Sequence, residues 1–198
     1  MIYLASKSPR RMELLSQIGA HHKVIEIAVK ETIDLDLTAK ENVEVLSTKK
    51  CQEGIRYTLS NNMGSFPVLA ADTMVVLGEE IFGKPDSKKD AISMLLKLSG
   101  KVHSVISGVT VGIISGDKAD FHSITVESKV EFSILSRLEC EKYCVTKEPF
   151  DKAGAYGIQG HGSVFVKRIE GSYSNIVGLP IHEVTVLFNK LNIPFWLP

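Results

Sequence analysis

Long apolar runs are absent from this sequence. No stretch approaches the roughly 20 residues a helix needs to cross a bilayer, and the chain opens directly on Met1-Ile2-Tyr3, which reads as a strand, without the pattern of a secretory leader. The expectation is a cytoplasmic protein with no membrane partner. An excess of either charge is missing too. With 23 basic and 23 acidic residues the formal net charge is zero, so no global field draws the chain to nucleic acid or to an anionic surface, and any anion site has to be local. Cysteine is scarce: Cys51, Cys140 and Cys144 fit a reducing compartment better than a disulfide framework. Cys140 and Cys144 share one face of the helix suggested by LSRLECEKYC, but two thiols without further ligands make a poor zinc site. The six histidines show no metal-binding spacing such as H-E-x-x-H. His21-His22 follow a helix end, where imidazoles often meet free carbonyls. G-x-x-x-x-G-K-[ST] does not occur, which disfavours a Walker-type NTPase or kinase, and there is no internal repeat, linker or low-complexity segment.

What is present suffices for a good core. A chain of 198 residues, 44% of them hydrophobic, folds as one domain over 1–198 or at most as two closely packed lobes. Strands are expected at the start, at 22–29, at 67–71 and 74–77 on either side of a polar step, and at 163–171. Two longer β-rich runs, 103–115 and 122–135, suit an antiparallel pair. Helices are expected at 8–19, 40–59, 88–100, 136–144 and 175–191, and GEEIFGKPDS reads as turns. Helices alternating with strands at both ends, and paired strands in the middle, make a mixed-sheet α/β domain the natural class.

The segment LASKSPRRMELLSQIG (4–19) carries the first functional signal. Ser8 suits an N-cap, Pro9 the first helical position and Gly19 the position past the end. Arg10 and Arg11 then fall in the first turn, where the helix already carries partial positive charge, an unfavourable placement unless an anion binds there. Asp72 is the second signal. A carboxylate between VLAA and MVVL is costly to bury without a cation or hydrogen-bond donors; it could cap a strand end, hold a divalent metal through hard oxygen ligands, or take a proton from water. Lys84 lies in the turn GKP, Lys50 beside Lys49 on a helix, and Glu31 at the head of an acidic, irregular stretch ending at Asp36. AGAYGIQGHG (153–162) is glycine-rich without the dinucleotide spacing; it reads as a hairpin or bulge, or as a loop that presents Gln159 to the edge of a base. Ser174 and Asn175 precede the final helix as a cap or a second anion site. Taken together, four cations, hydroxyls at a helix start, a metal-capable carboxylate and an amide suit a nucleoside triphosphate with about three to four negative charges.

Read in order, S-x-S-P-R-R, A-D-T before an apolar run, G-K-P, L-S-G-x-x-H-S-V (98–105), D-K-A-G-A-Y-G-I-Q-G (151–160) and N-x-V-G-L-P (175–180) resemble the Maf family of nucleotide pyrophosphatases. The resemblance implies a long, mixed, twisted sheet flanked by helices, similar to inosine triphosphate pyrophosphatases, with two lobes and a central cleft. It also implies hydrolysis of a nucleoside triphosphate to the monophosphate and pyrophosphate with a divalent metal (Mg²⁺, Mn²⁺ or Co²⁺), and a homodimer. Carried over by motif, Ser6, Ser8, Arg11, Lys50 and Lys84 hold phosphates, Asp72 is the catalytic carboxylate, and Glu31 joins Asp72 at the metal. Arg10, Thr73 and Gln159 stand where the branch acting on dTTP and UTP carries Arg, Thr and Gln; the branch acting on 7-methylguanosine triphosphate has Trp in place of the first arginine. The rival reading is a non-catalytic nucleotide-binding regulator of cell division. A nucleic-acid-binding module is weaker, because neither a basic face nor interleaved aromatics occur.

Overall fold

The structure is a computed structural model, and it describes residues 1–116 and 118–196. Its strands are β1 (Ile2–Leu4), β2 (His22–Val24), β3 (Val68–Leu77), β4 (Glu80–Phe82), β5 (Val102–Ser115), β6 (Lys118–Phe132) and β7 (Val166–Glu170); its α-helices are α1 (Pro9–Gln17), α2 (Ala39–Ser60), α3 (Lys88–Leu98), α4 (Arg137–Val145), α5 (Tyr173–Val177) and α6 (Ile181–Lys190). The sheet runs β2-β1-β3-β5-β6-β7, with β4 on β3. It is mixed: β1 pairs parallel with β2 and β3, whereas β4 lies antiparallel to β3 and β7 antiparallel to β6. This is the α/β class expected. No helix among the described residues is long and apolar enough to cross a membrane.

Several elements differ from the sequence expectation, each for a physical reason. The strand at 22–29 stops at Val24, because its partner β1 is only three residues long and the register Ile2–His22 to Leu4–Val24 exhausts it. The two runs around Asp72 are one continuous strand, β3. The turn-rich GEEIFGKPDS contains β4, which folds back on β3 from Gly78 at φ +63°. The closing helix is two, α5 and α6, divided where Gly178 takes φ +124° and Pro180 follows. At 163–171 only 166–170 is strand, and a 3₁₀ turn occupies His161–Phe165. Two helices start on reciprocal capping pairs, Thr38 with Glu41 and Ser136 with Glu139.

The chain divides into two compact units, Met1–Asp72 with Ser107–Val126 and Gly178–Pro198, and Thr73–Ile106 with Glu127–Val177. In the first, Tyr3, Ala5, Ile25, Cys51, Ile55 and Val68 form a buried cluster. Cys51 donates to the Val68 carbonyl at 3.2 Å, and burial pushes its thiol up to about 12. All three cysteines are free and buried, and His22 Nδ1 donates to the Ala20 carbonyl at 2.9 Å. The second unit has its core on α3, α4 and β6, with Leu95, Leu98, Phe132, Tyr143 and Phe165 buried together.

Inside that second core sits His103, 2% exposed. Its ring meets Phe132 and Tyr156 edge-on, with centroids 4.9 and 5.4 Å away. Nε2 lies 2.8 Å from the Tyr156 hydroxyl, and Nδ1 has no partner among the described residues. Burial lowers the imidazole from its ordinary 6.5 to about 4. The unfolded chain therefore takes up this proton first, so the neutral ring's contribution is intact above pH 6.5 and is lost as pH falls toward 4, a difference of about 3 kcal/mol. Urea midpoints measured from pH 7 to pH 4.5 should fall more steeply for the wild type than for His103→Gln; equal slopes would remove His103 from the acid response.

Candidate active site

The geometry begins at α1. Ser8 is the N-cap in extended conformation and Pro9 occupies the first turn. The Ser8 hydroxyl makes no capping bond; instead its N–H donates to Ser6 Oγ at 3.2 Å. The same oxygen accepts from Arg11 Nη1 at 3.2 Å, while Arg11 Nε donates to the Gly178 carbonyl at 2.8 Å. Arg11 is thus folded back over the start of its own helix, and that first turn holds no acidic residue. Burial pulls the Arg11 guanidinium below its ordinary value; Asp72 opposes this, Arg10 adds to it, and Glu31 opposes it. Asp72, Arg10 and Glu31 are therefore each close enough to act on Arg11, and Arg10 is itself partly buried.

The carboxylates converge on Lys50. Its Nζ lies 2.6 Å from Asp72 Oδ1 and 2.6 Å from Glu31 Oε1. The Lys50 and Asp72 side chains are 10% and 11% exposed, and Glu31 is half exposed. A lysine beside Lys49 reads from sequence as a solvated helix face, whereas here it is the partner that lets an ionised Asp72 sit within an apolar strand. Two carboxylates aimed at one cation position are hard oxygen donors of the kind Mg²⁺ accepts when phosphates and water complete its shell. Among the described residues no group of three or more His, Cys, Asp and Glu stands ready to cage a metal alone. Asp72 and Glu31 are thus the pair that could hold such a cation.

Asn42 is a residue the sequence reading does not single out. Buried on α2, it donates from Nδ2 to the carbonyls of Asp34, Leu37 and Thr38 at 2.8 to 3.1 Å and accepts from Asp34 N–H at 2.9 Å. It pins the irregular segment that follows Glu31, so the position of Glu31 depends on α2 at both ends. No charge or spacing in the sequence marks it; its use shows only once its place one turn inside α2 is known.

In the second unit, Thr73 follows Asp72 on β3 and is half-buried, while Lys84 is exposed in the GKP turn. The Gly154 N–H donates to the Gly83 carbonyl at 3.0 Å, joining that turn to the glycine-rich segment. Gly154 takes φ +69° and leaves room for Val75, which a Cβ there would meet at 2.9 Å. Gln159 is exposed at the end of this segment. Ser174 and Asn175 belong to a buried polar knot: Asn175 Nδ2 donates to the Val105 carbonyl and to Ser128 Oγ, both at 3.0 Å, and Ser174 Oγ lies 3.0 Å from Ser172 Oγ. Those bonds give the pair a structural task at the start of α5.

The family model described as Maf-like protein matches residues 1–191. A protein of Caldicellulosiruptor bescii named dTTP/UTP pyrophosphatase is 44% identical over 190 residues, covering 96% of this chain and 94% of its own. One of Chromobacterium violaceum with the same name is 44% identical over 197 residues, covering 100% of this chain and 96% of its own. A third with that name, from Pseudoalteromonas atlantica, is 42% identical and covers 98% of each chain.

Proposed function

The chain belongs to the Maf family, and on that footing we propose that it is a nucleoside triphosphate pyrophosphatase, hydrolysing dTTP and UTP to the monophosphate and pyrophosphate. The observation that carries this reading is the buried Lys50 ammonium held 2.6 Å from both Asp72 and Glu31, with Arg11 close enough to feel both carboxylates. A protein that only binds a polyanion has no use for two carboxylates beside its cations; a hydrolase does.

The reaction is in-line attack of water on the α-phosphorus with pyrophosphate leaving. Asp72 is the group to take the water's proton, with Lys50 fixing its orientation through Oδ1. Arg11, anchored by Ser6 and the Gly178 carbonyl, presents its guanidinium to the phosphoryl oxygens. Ser6, Ser8 and the first N–H groups of α1 add donors that carry no acidic competitor. Lys84 supplies a further cation to the phosphates, and Arg10, Thr73 and Gln159 select the pyrimidine base. Asp72 and Glu31 would hold a divalent cation, Mg²⁺, Mn²⁺ or Co²⁺, which would neutralise charge on the phosphates. The family likeness is also the ground for proposing a cytoplasmic homodimer whose ligand is the free nucleotide and not nucleic acid.

Pyrophosphate release from a panel of canonical and modified nucleoside triphosphates, with each of the three cations, tests the reading. Fast release from dTTP and UTP is expected. Tight nucleotide binding with no release from any member of the panel would favour the regulator instead.

A further inference from the structure

The glycine-rich segment is wrapped around one carboxylate. Glu148 Oε1 accepts from the Tyr143 hydroxyl at 2.8 Å and from Gly162 N–H at 3.1 Å, while Oε2 accepts from His161 N–H at 2.7 Å. The Tyr143 oxygen in turn accepts from Gly157 N–H at 3.2 Å. Glu148 is itself held at its backbone, its N–H donating to Thr146 Oγ1 at 3.2 Å and its carbonyl accepting from Lys152 Nζ at 2.8 Å. The backbone on both sides of Gln159 is thus tied, at 157 and at 161–162, to one Glu–Tyr pair.

The glycines are there for this approach. A Cβ at Gly160 would collide with the Glu148 carboxylate; one at Gly157 would meet Lys152 at 2.7 Å and Glu148 Oε1 at 3.0 Å; one at Gly162 would meet the Tyr143 hydroxyl at 2.7 Å. None of these three has a positive φ, so what they provide is space. Although burial disfavours its charge, bonds from Gly162, Tyr143 and His161, with Lys152 nearby, hold the Glu148 carboxyl below its ordinary value. Its two oxygens accept three hydrogen bonds, two from the N–H groups of the segment and one from the Tyr143 hydroxyl. Those bonds give it a clear role as a template.

We propose that Glu148 is a positioning residue for pyrimidine selection, fixing the loop that presents Gln159 by gathering the N–H groups of residues 161 and 162 and, through Tyr143, that of 157. The inference rests on the dTTP/UTP reading, in which Gln159 meets the base. It commits to a pathway: Glu148 acts on substrate through Gln159 and not on the phosphates.

A double-variant cycle on the full chain tests it. Glu148→Gln removes one acceptor and points an amide donor at an N–H donor. It should raise KM for dTTP by about tenfold with kcat changed less than about threefold, and it should speed hydrogen exchange at the amides of 161 and 162. Gln159→Ala should raise KM comparably, and adding Glu148→Gln to it should cost nothing further. Additive losses in the pair, a fall confined to kcat, or unchanged exchange would each overturn the proposal. Should Glu148→Gln not fold, Tyr143→Phe, which cuts the link to Gly157 with little change of volume, should show the same pattern at smaller size; no effect on KM or on exchange would again overturn it. If the wild type hydrolyses neither dTTP nor UTP, the activity reading falls alone and the cycle is read on the Kd for dTTP. Absence of binding overturns both.

Discussion

Asp72→Asn is expected to keep the fold and to lose pyrophosphate release from dTTP and UTP by on the order of a thousandfold. The substitution is nearly isosteric, and the amide oxygen can still accept from Lys50, whose Nζ also keeps Glu31 at 2.6 Å. The buried ammonium is therefore not stranded, so the penalty of several kcal/mol that follows from breaking a buried pair should not arise; a melting temperature within a few degrees of the wild type is the outcome expected. Chemistry has no such reserve. An amide cannot accept the proton of an attacking water, and it is a poorer ligand for a hard cation than a carboxylate. Glu31 cannot take over, because it stands on an irregular segment, half exposed, and reaches the lysine from its own side. Turnover and thermal melting measured on one preparation separate the two consequences. Turnover at the wild-type level would take Asp72 out of the reaction, and a folded variant that still binds dTTP without hydrolysing it would place Asp72 in the chemical step.

The contrast between Asp72 and Lys50 shows where sequence reading stops. Local signals translated directly: Ser8, Pro9 and Gly19 bound α1, since each acts within one turn of itself. Asp72 was conspicuous as a polar residue between apolar ones, but the same polarity suggested a break in the strand, and β3 runs straight through it. What permits that continuity is a lysine 22 positions earlier in the chain, indistinguishable in sequence from a solvated neighbour. Arg11 likewise needs the Gly178 carbonyl, 167 positions away. The ordered motifs identify the candidate site residues through resemblance, without the partners that aim them. Asn42 and Glu148 belong to no signal of charge or spacing, because their work is to hold backbone, and backbone geometry is not written in side-chain types. The irregular glycines from 154 to 162 were the exception, a visible demand for space whose occupant, Glu148, only the structure identifies.

Gly108→Ala is expected to destabilise the protein by about 3 kcal/mol, more than the usual cost of an added methyl, because the obstacle is backbone. A Cβ at Gly108 would run into the carbonyl group of Val43 and come within 3.0 Å of the Glu44 nitrogen. Val43 is fully buried in the second turn of α2, and helical main chain cannot turn aside as a side-chain tip can. Only a shift of α2 or of β5 makes room. The rest of that interface is equally close: a Cβ at Gly54 on α2 would meet Val68 at 2.7 Å and Ala5 at 3.0 Å, and one at Gly112 on β5 would meet Ile55 at 2.7 Å and Cys51 at 2.9 Å. Gly108 and Gly112, four apart on one strand, share the face that α2 covers. The helix is thus seated on the sheet through three glycines, and it is the same helix that carries Asn42 and Lys50. Moving it outward by even a few tenths of an ångström loosens the 2.6 Å contacts of Lys50 with Asp72 and Glu31, so Gly108→Ala should lower turnover along with stability. Gly112→Ala should be milder, since its neighbours are the ends of Ile55 and Cys51, which can rotate. At about 2–4 °C per kcal/mol for a chain of this size, thermal melting should place Gly108→Ala about 6–12 °C below the wild type and Gly112→Ala between them; a Gly108→Ala protein that melts with the wild type would mean that α2 does not depend on this contact for its seat.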